Sequence, residues 1–127
     1  MSLNIIYLRH RIDRLALLQK ELDHEKITNY RIWDGIIDEN PCVGIARAHK
    51  QIIRFAKESR LPEIVIAEDD LHFTTQGAFE FFLSNKPNVF DIYLGGVMWR
   101  DNYIKIISMT FQALQCISYV SYSMIAF

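Results

Sequence analysis

The stretch Glu63-Ile64-Val65-Ile66-Ala67-Glu68-Asp69-Asp70, residues 63–70, decides the fold. Its first five residues follow Pro62 and are typical of a strand in a parallel sheet, because such strands are covered by helices on both faces and read as continuous apolar runs. Three adjacent carboxylates then follow. The stretch therefore predicts a central strand that ends in an acidic cluster, Glu68 to Asp70.

The segments around this stretch alternate between strand and helix patterns. Short apolar runs predict strands, and apolar residues spaced three and four apart, such as Ile12, Leu15, Leu18 and Leu22, predict amphipathic helices. The predicted strands cover 4–8, 30–33, 63–67, 90–94, 103–109 and 114–120, and the predicted helices cover about 12–22, 44–59 and 77–83. This alternation indicates an α/β fold with a mostly parallel sheet flanked by helices.

Polar clusters follow each of the first three predicted strands. They are Arg9-His10-Arg11, Asp34-Gly35 and the acidic cluster. Ligands of open α/β sheets bind beyond the carboxyl ends of the strands. We therefore expect the three clusters to converge on one edge of the sheet.

Length and charge limit the classes of function. The chain has 127 residues, which suits one domain over 1–127, and a formal net charge of -1. That charge is a poor match for nucleic acid, whose binding proteins gain affinity by replacing condensed counterions. Only a four-residue apolar run precedes Arg9, so the N-terminus has no signal-peptide pattern and we expect a cytoplasmic protein.

Residues 106–127 contain no charged side chain, which is long enough to raise the question of a membrane span. Serines alternate with aromatic and β-branched residues over 117–122, a pattern that favours buried strands over a membrane helix. The chain stops at the apolar Phe127, so we expect the domain to be cut short on its C-terminal side.

The acidic cluster has two interpretations. Side chains alternate along a strand, so Glu68 and Asp70 share one face and Asp69 takes the other. Two carboxylates at that spacing can hold a hard divalent ion, which stabilises charge on a departing phosphate. The alternative is a solvated acidic turn, with Thr74 or Thr75 capping the next helix.

The basic residues and the helix histidine also have two interpretations each. Arginine suits a phosphate or a nucleobase edge, but a solvated loop is the favoured interpretation of His10 and Arg11, with Arg14 paired to Asp13 or a nearby acid. His49 lies on an apolar helix stripe, where a hydrogen-bonded core histidine competes with a ligand role. We interpret the basic stripe as a solvated helix face; its members are Arg47, Lys50, Arg54 and Lys57.

The ordered series of motifs resembles the family 25 glycosyltransferases, the lipooligosaccharide-type β-galactosyltransferases of bacterial surface-sugar synthesis. The series consists of Leu8-Arg9, Asp13-Arg14, Asp34-Gly35, residues 44–49, residues 66–70 and residues 90–95. The similarity covers most of this chain but only the nucleotide-binding half of a typical member. It implies a GT-A-like, Rossmann-like fold, apparently truncated, with the acceptor-binding half largely absent.

The resemblance also implies roles for individual residues. Asp70 would be the principal metal ligand, together with Glu68, for Mn²⁺ or Mg²⁺. The residues implied in nucleotide-sugar binding are Leu8, Arg9, Arg14, Asp34, Gly35, His49 and Asp69. Ala48 departs from the family, which has a serine before the helix histidine. The resemblance identifies no general base, and Asp101 is the one weak candidate.

The implied function is transfer of a hexose, expected to be galactose, from a UDP-sugar to a saccharide or glycolipid acceptor in lipopolysaccharide or capsule synthesis. The expected location is the cytoplasm, with peripheral association at the inner face of the membrane and self-association both left open. One alternative is a non-catalytic nucleotide-sugar-binding or assembly domain derived from a transferase. Another is a receiver-like phosphoacceptor domain, which would want its acidic pair after the first strand, where this chain has Arg9-His10-Arg11.

Overall fold

The computed structural model describes residues 1–95 with their side chains and residues 114–121 as backbone. The strands are β1 (Leu3–Tyr7), β2 (Tyr30–Asp34), β3 (Glu63–Phe73), β4 (Ile92–Leu94) and β5 (Leu114–Ser121), and the helices are α1 (Ile12–His24), α2 (Pro41–Glu58) and α3 (Ala78–Ser84). The predicted strand 103–109 lies outside the described residues, as does Asp101.

The strands form a five-stranded sheet in the order β2-β1-β3-β5-β4. β1 pairs in parallel with β2 on one side and with β3 on the other. β5 runs antiparallel to both β3 and β4. The predicted α/β class is confirmed: β2, β1 and β3 form a three-stranded parallel part of the sheet, and helices flank it.

The helices cover opposite faces of the sheet, and each face has its own hydrophobic cluster. One cluster joins α1 and α3 to the odd-numbered residues of β3, and includes Leu18, Leu22, Val65, Leu71, Phe73 and Phe82. The other joins α2 to even-numbered strand residues, and includes Ile6, Ala48, Ile52, Ala56, Ile64 and Ile66. The two clusters bury residues on both faces of β3, which explains why this strand reads as a continuous apolar run. Burial of one large aliphatic side chain contributes about 1.5–3 kcal/mol to stability.

The predicted stripe of α1 is wrong in its first turn. Ile12 is 75% exposed and Leu15 is 38% exposed, whereas Leu18 and Leu22 are buried. The first turn of α1 lies beyond the end of β1, so the sheet offers it no apolar surface to cover.

β3 is longer than predicted, and this changes the place of the acidic cluster. The strand was expected to end at Ala67 but continues to Phe73, so all three acids lie within it. Pairing with β1 stops at Glu68, while β5 pairs on through Phe73 after a register shift between Ala67 and His72. The β1–β3 pairing therefore ends at the acidic cluster. Beyond Glu68, the edge of β3 that faces β1 has no paired neighbour among the described strands.

α2 begins three residues earlier than predicted, at Pro41. The side chain of Asn40 accepts a hydrogen bond from the Cys42 amide. Proline suits the first helical position, because the backbone N–H that it lacks would have no hydrogen-bond partner within the helix there. Gly44 then allows a close approach: a Cβ at this position would lie 2.3 Å from the Ile36 carbonyl oxygen. The loop after β2 is thereby held against α2.

Residues 114–121 form a strand, as predicted, and the rest of the uncharged segment lies outside the described residues. In the part of the chain that the structure describes, no helix combines the length and the apolar character needed to cross a membrane.

Candidate functional site

A cleft of about 260 Å³ opens at the carboxyl ends of β1 and β2, next to the first turns of α2. We call it the carboxyl-end cleft. Its apolar walls include Ile6, Leu8, Ile36 and Ile45, and its charged lining residues are Arg14, Asp38, Glu68 and Asp69. The chain adds β2 on one side of β1 and then β3 on the other side, so the order in which strands are added reverses at β1. Rossmann-like sheets bind ligands at such a switch point.

Members of all three polar clusters predicted to converge meet in this cleft. Leu8 and His10 follow β1, Gly35 follows β2, and Glu68 and Asp69 come from β3. The Gly35 amide donates to the Tyr7 carbonyl oxygen at 2.8 Å, which fixes the turn after β2 against the end of β1. Arg9 and Arg11 are not among the lining residues.

Asp69 is the buried member of the acidic cluster, with 5% of its surface exposed. Its Oδ2 accepts a hydrogen bond from the Leu8 amide at 3.1 Å, and its Oδ1 accepts one from Arg14 Nη1 at 2.5 Å. Both carboxylate oxygens are thus engaged inside the protein. Asp69 joins β3 to the loop after β1 and to the start of α1, and it holds Arg14 at the cleft.

Glu68 and Asp70 are in a different situation. Burial raises the pKa of Glu68, and the nearby charges of Asp70 and Asp69 raise it further, while His49 and Arg14 act in the opposite direction. The side chain of Glu68 makes no hydrogen bond or ion pair with any described residue. The side chain of Asp70 is 45% exposed, and its Oδ2 lies 3.8 Å from Arg14 Nη1.

Glu68 and Asp70 fit a divalent cation as part of a ligand set. Their carboxylate oxygens are the hard donors that Mg²⁺ and Mn²⁺ prefer, and Mg²⁺ sites commonly use one or two carboxylates together with substrate phosphates and water. Across residues 1–95 and 114–121, no three His, Cys, Asp or Glu side chains are grouped so as to hold an ion by themselves. A bound phosphate would therefore have to complete the coordination.

Arg9 and Asp34, both implied in nucleotide binding, pair with each other at the surface. Arg9 Nε and Nη2 donate to the two carboxylate oxygens of Asp34 at 2.6 and 3.0 Å, and the side chains are 80% and 63% exposed. Hydrogen bonding to Arg9 lowers the pKa of Asp34.

The other two basic side chains of this region are also paired. Arg11 binds Asp13, and this hydrogen bond lowers the pKa of Asp13 to about 2. Arg47 binds Asp38 at 2.6 Å. Arg14, for which we expected Asp13 or a nearby acid as partner, pairs with Asp69, while Asp13 pairs with Arg11.

His49 is half-buried on α2, close enough to Glu68 to influence its pKa. Its Nδ1 lies 3.0 Å from the Ile45 carbonyl oxygen. Because a carbonyl oxygen only accepts hydrogen bonds, Nδ1 carries the proton in this contact. The ring is therefore hydrogen-bonded within its helix, beside Ala48, which lines the cleft.

Asp38 and His10 also line the cleft, although the sequence patterns point to no role for Asp38 and favour a solvated loop for His10. Asp38 Oδ1 accepts a hydrogen bond from the Asn40 amide at 3.0 Å, one turn ahead of α2. The spacing Asp38-x-Asn40-Pro41 is a readable signal for a capped helix start, and it could have placed Asp38 near the cleft.

Comparison with known protein families gives no matching family model, and comparison with curated proteins gives no significant match.

Proposed function

We propose that this chain binds a nucleotide-sugar in the carboxyl-end cleft and belongs to a GT-A-like glycosyltransferase. The reaction would move a hexose, galactose by the resemblance, from UDP to a saccharide or glycolipid acceptor in lipopolysaccharide or capsule synthesis. The observation that carries the proposal is the position of the cleft: it lies at the switch point between β1 and β3, with Arg14, Glu68 and Asp69 in its lining and Asp70 beside Arg14.

The lining of the cleft supports this class of ligand. Aliphatic walls such as Leu8, Ile36 and Ile45 suit the flat apolar faces of a nucleobase. The charged residues of the cleft do not favour a diphosphate by themselves, because Arg14 is already paired with Asp69. Glu68 and Asp70 then leave two negative charges, which would repel a bare diphosphate.

A divalent cation, Mn²⁺ or Mg²⁺, resolves this conflict of charge. Glu68 and Asp70 would hold it, and oxygens of the diphosphate would supply further ligands. When bound, the ion would stabilise the negative charge that builds on UDP as it departs. Arg14, fixed by Asp69, would remain beside the diphosphate as a second positive group.

The chemical step is a substitution at the anomeric carbon of the sugar. The acceptor hydroxyl oxygen forms a bond to this carbon while the bond from the carbon to UDP breaks, and the hydroxyl proton passes to a base. Among the described residues we assign no base. Asp101 stays a sequence-based candidate.

The receiver-like alternative is less well supported by the sheet. Flavodoxin-like sheets, the doubly wound type of the receiver, have the strand order 2-1-3-4-5, whereas this sheet has β5 inserted antiparallel between β3 and β4. A nucleotide-sugar-binding cleft is needed by the non-catalytic alternative as well as by the enzyme, so only a transfer assay separates these two functions. A cytoplasmic location at the inner face of the membrane is part of the proposal.

Calorimetric titration of UDP, with Mn²⁺ and with a chelator, tests the binding half of the proposal. We expect Mn²⁺ to tighten UDP binding, and Asp70→Asn to remove that metal-dependent gain. Asp23→Asn, on the exposed side of α1 (Asp23 binds Gln19), removes the same charge far from the cleft and should keep the gain. Equal UDP binding in wild type and Asp70→Asn, with and without Mn²⁺, would contradict the proposed role of the acidic cluster.

Mass spectrometry of acceptor saccharides incubated with UDP-galactose and Mn²⁺ tests the catalytic half. A gain of one hexose supports the enzyme. UDP binding without any transfer from UDP-galactose or other UDP-hexoses favours the non-catalytic alternative.

A further inference from the structure

A second cavity lies at the opposite end of the sheet, where β1 and β3 begin. It has a volume of about 430 Å³, within the range of small-molecule sites. We call it the amino-end cavity. Its described lining is largely apolar and includes Phe55, Leu61, Pro62 and Ile64, together with Arg31 from β2. The cavity shares no lining residue with the carboxyl-end cleft among the described residues.

Arg31 is held in place by two aromatic rings. It precedes Trp33 by two residues on β2, so both side chains lie on the face that α2 covers. The Arg31 Cζ atom lies 3.9 Å from the centre of the Trp33 ring and 4.7 Å from the centre of the Phe55 ring. Stacking uses the flat face of the guanidinium and leaves the N–H donors at its edge available.

The charge of Arg31 has no acidic partner among the residues that the structure describes. The arginines around the carboxyl-end cleft differ in this respect, since each binds an aspartate; they are Arg9, Arg11, Arg14 and Arg47. Glu63 is the acid in the described lining, and Lys86 Nζ donates to both of its carboxylate oxygens at 2.6 and 2.7 Å. The positive charge at this cavity is therefore not cancelled by Glu63.

We propose that the amino-end cavity binds a small amphipathic anion, with its carboxylate or phosphate head on Arg31 and its apolar body against Phe55 and Leu61. Two features favour this class of ligand together. A guanidinium already oriented by aromatic rings can donate two parallel hydrogen bonds to an anionic head, with little further ordering. The apolar lining rewards a hydrocarbon body, which free phosphate or acetate lacks.

Calorimetric titration with octanoate and with octyl phosphate tests the proposal, using octanol and inorganic phosphate as half-ligands. We expect at least one of the two amphiphiles to saturate one site per chain, with octanol and inorganic phosphate at least about tenfold weaker. The indole N–H resonance of Trp33 should shift during the titration, since the ring contacts Arg31. The tighter of octanoate and octyl phosphate identifies the preferred head group.

Variants at Arg31 decide whether the charge is responsible. Arg31→Gln should weaken binding of the tighter amphiphile by about ten- to a hundredfold, the size of a charge-assisted hydrogen bond. Arg31→Lys keeps the charge without the planar fork and should lie in between. Lys20→Gln removes one charge from α1, on the other face of the sheet, and should bind as the wild type does.

Three results would overturn the proposal: no saturable binding of either amphiphile, octanol binding as tightly as octanoate, or unchanged binding in Arg31→Gln. Circular dichroism of each variant shows whether it is folded, and if Arg31→Gln is unfolded the comparison rests on Arg31→Lys. UDP titration of the same variants separates this site from the proposed function, because Arg31 does not line the carboxyl-end cleft.

Discussion

The long-range side-chain hydrogen bonds at the two ends of the sheet are made by different kinds of residue. At the carboxyl end, carboxylates accept hydrogen bonds from distant backbone amides: Asp69 from Leu8, and Glu21 from Phe73. At the amino end, the neutral side-chain amide of Asn4 makes the long-range contacts instead: it donates to the Val65 carbonyl oxygen and accepts from Trp33 Nε1. Asp69 and Glu21 thus have a structural role at the carboxyl end in addition to any role in ligand binding.

α1 contributes more of these contacts than its sequence suggests. Glu21 also binds His72 Nδ1 at 2.8 Å, and Glu25, one turn later, accepts hydrogen bonds from the amides of Gly77 and Phe79 at 2.9 and 3.0 Å. α3 has no cap of its own at Gly77, so Glu25 replaces it. α1 therefore fixes both the end of β3 and the start of α3.

The largest expected effect comes from Asp69→Ala. The change leaves the Leu8 amide without its acceptor and a partly buried Arg14 without its partner, so we expect a loss of about 2–3 kcal/mol in the free energy of unfolding. Urea denaturation measures it. Asp70→Ala, one residue along β3 but exposed, should change stability by no more than about 0.5 kcal/mol. Equal losses in the two variants would contradict the distinction drawn between these neighbours.

The next largest effect tests the amino end. Asn4 is 4% exposed; its Nδ2 donates to the carbonyl oxygens of Ser2 and Val65, and its Oδ1 accepts from Trp33 Nε1 at 2.9 Å. Asn4→Leu keeps the number and branching of the side-chain heavy atoms but removes all three hydrogen bonds, and we expect a loss of about 1–2 kcal/mol in the free energy of unfolding. Asn29→Leu, at an exposed position, is the control. A loss no larger than that of the control would show that the amino end does not depend on this amide.

The smallest effect depends on pH. Burial by itself would raise the pKa of Glu21, but hydrogen bonds from the Phe73 amide and from His72 outweigh it, and the pKa is lowered from 4.5. A carboxyl group whose pKa is lower in the folded protein stabilises it above the unfolded pKa, and this stability is lost as the pH falls through the folded pKa. Glu21→Gln should therefore be less stable than wild type by about 1 kcal/mol at neutral pH.

Urea denaturation at a series of pH values checks this prediction. The difference in the free energy of unfolding between Glu21→Gln and wild type should shrink as the pH is lowered below 4.5, the ordinary pKa of a glutamate. His72 and His24 both act on the Glu21 carboxylate and lower its pKa. Glu58→Gln, at the exposed end of α2, should show no such trend. A constant difference across the range would mean that packing, not ionisation, explains the loss.

The central strands could be predicted because their apolar runs are unambiguous, whereas the end of β3 could not. Glu and Asp are unfavourable in strands, so the acidic cluster looks like the point where β3 stops. In the structure β5 continues to pair as far as Phe73, and Leu71 and Phe73 are buried under α1 and α3. Tertiary contacts outweigh the local preference, and a sequence does not reveal them.

The same limit applies to the acidic cluster itself. Alternation along a strand correctly separates Asp69 from Glu68 and Asp70, yet nothing local shows that Asp69 meets Arg14 and the Leu8 amide, 55 and 61 residues away. The start of α2, by contrast, was readable: Asn40 followed by Pro41 is a capping pattern that periodicity alone overlooks. Local chemistry was sufficient there, and long-range pairing was necessary in β3.

The position of β5 has a consequence for how the chain is made. β3 ends at residue 73, but its second neighbour consists of residues 114–121, which leave the ribosome about 40 residues later. Synthesis proceeds at roughly 5–20 residues per second, so this edge of β3 stays uncovered for seconds. An open apolar strand edge invites pairing with other chains. Newly made copies are therefore most prone to aggregate in the interval between the emergence of Phe73 and that of Ser121.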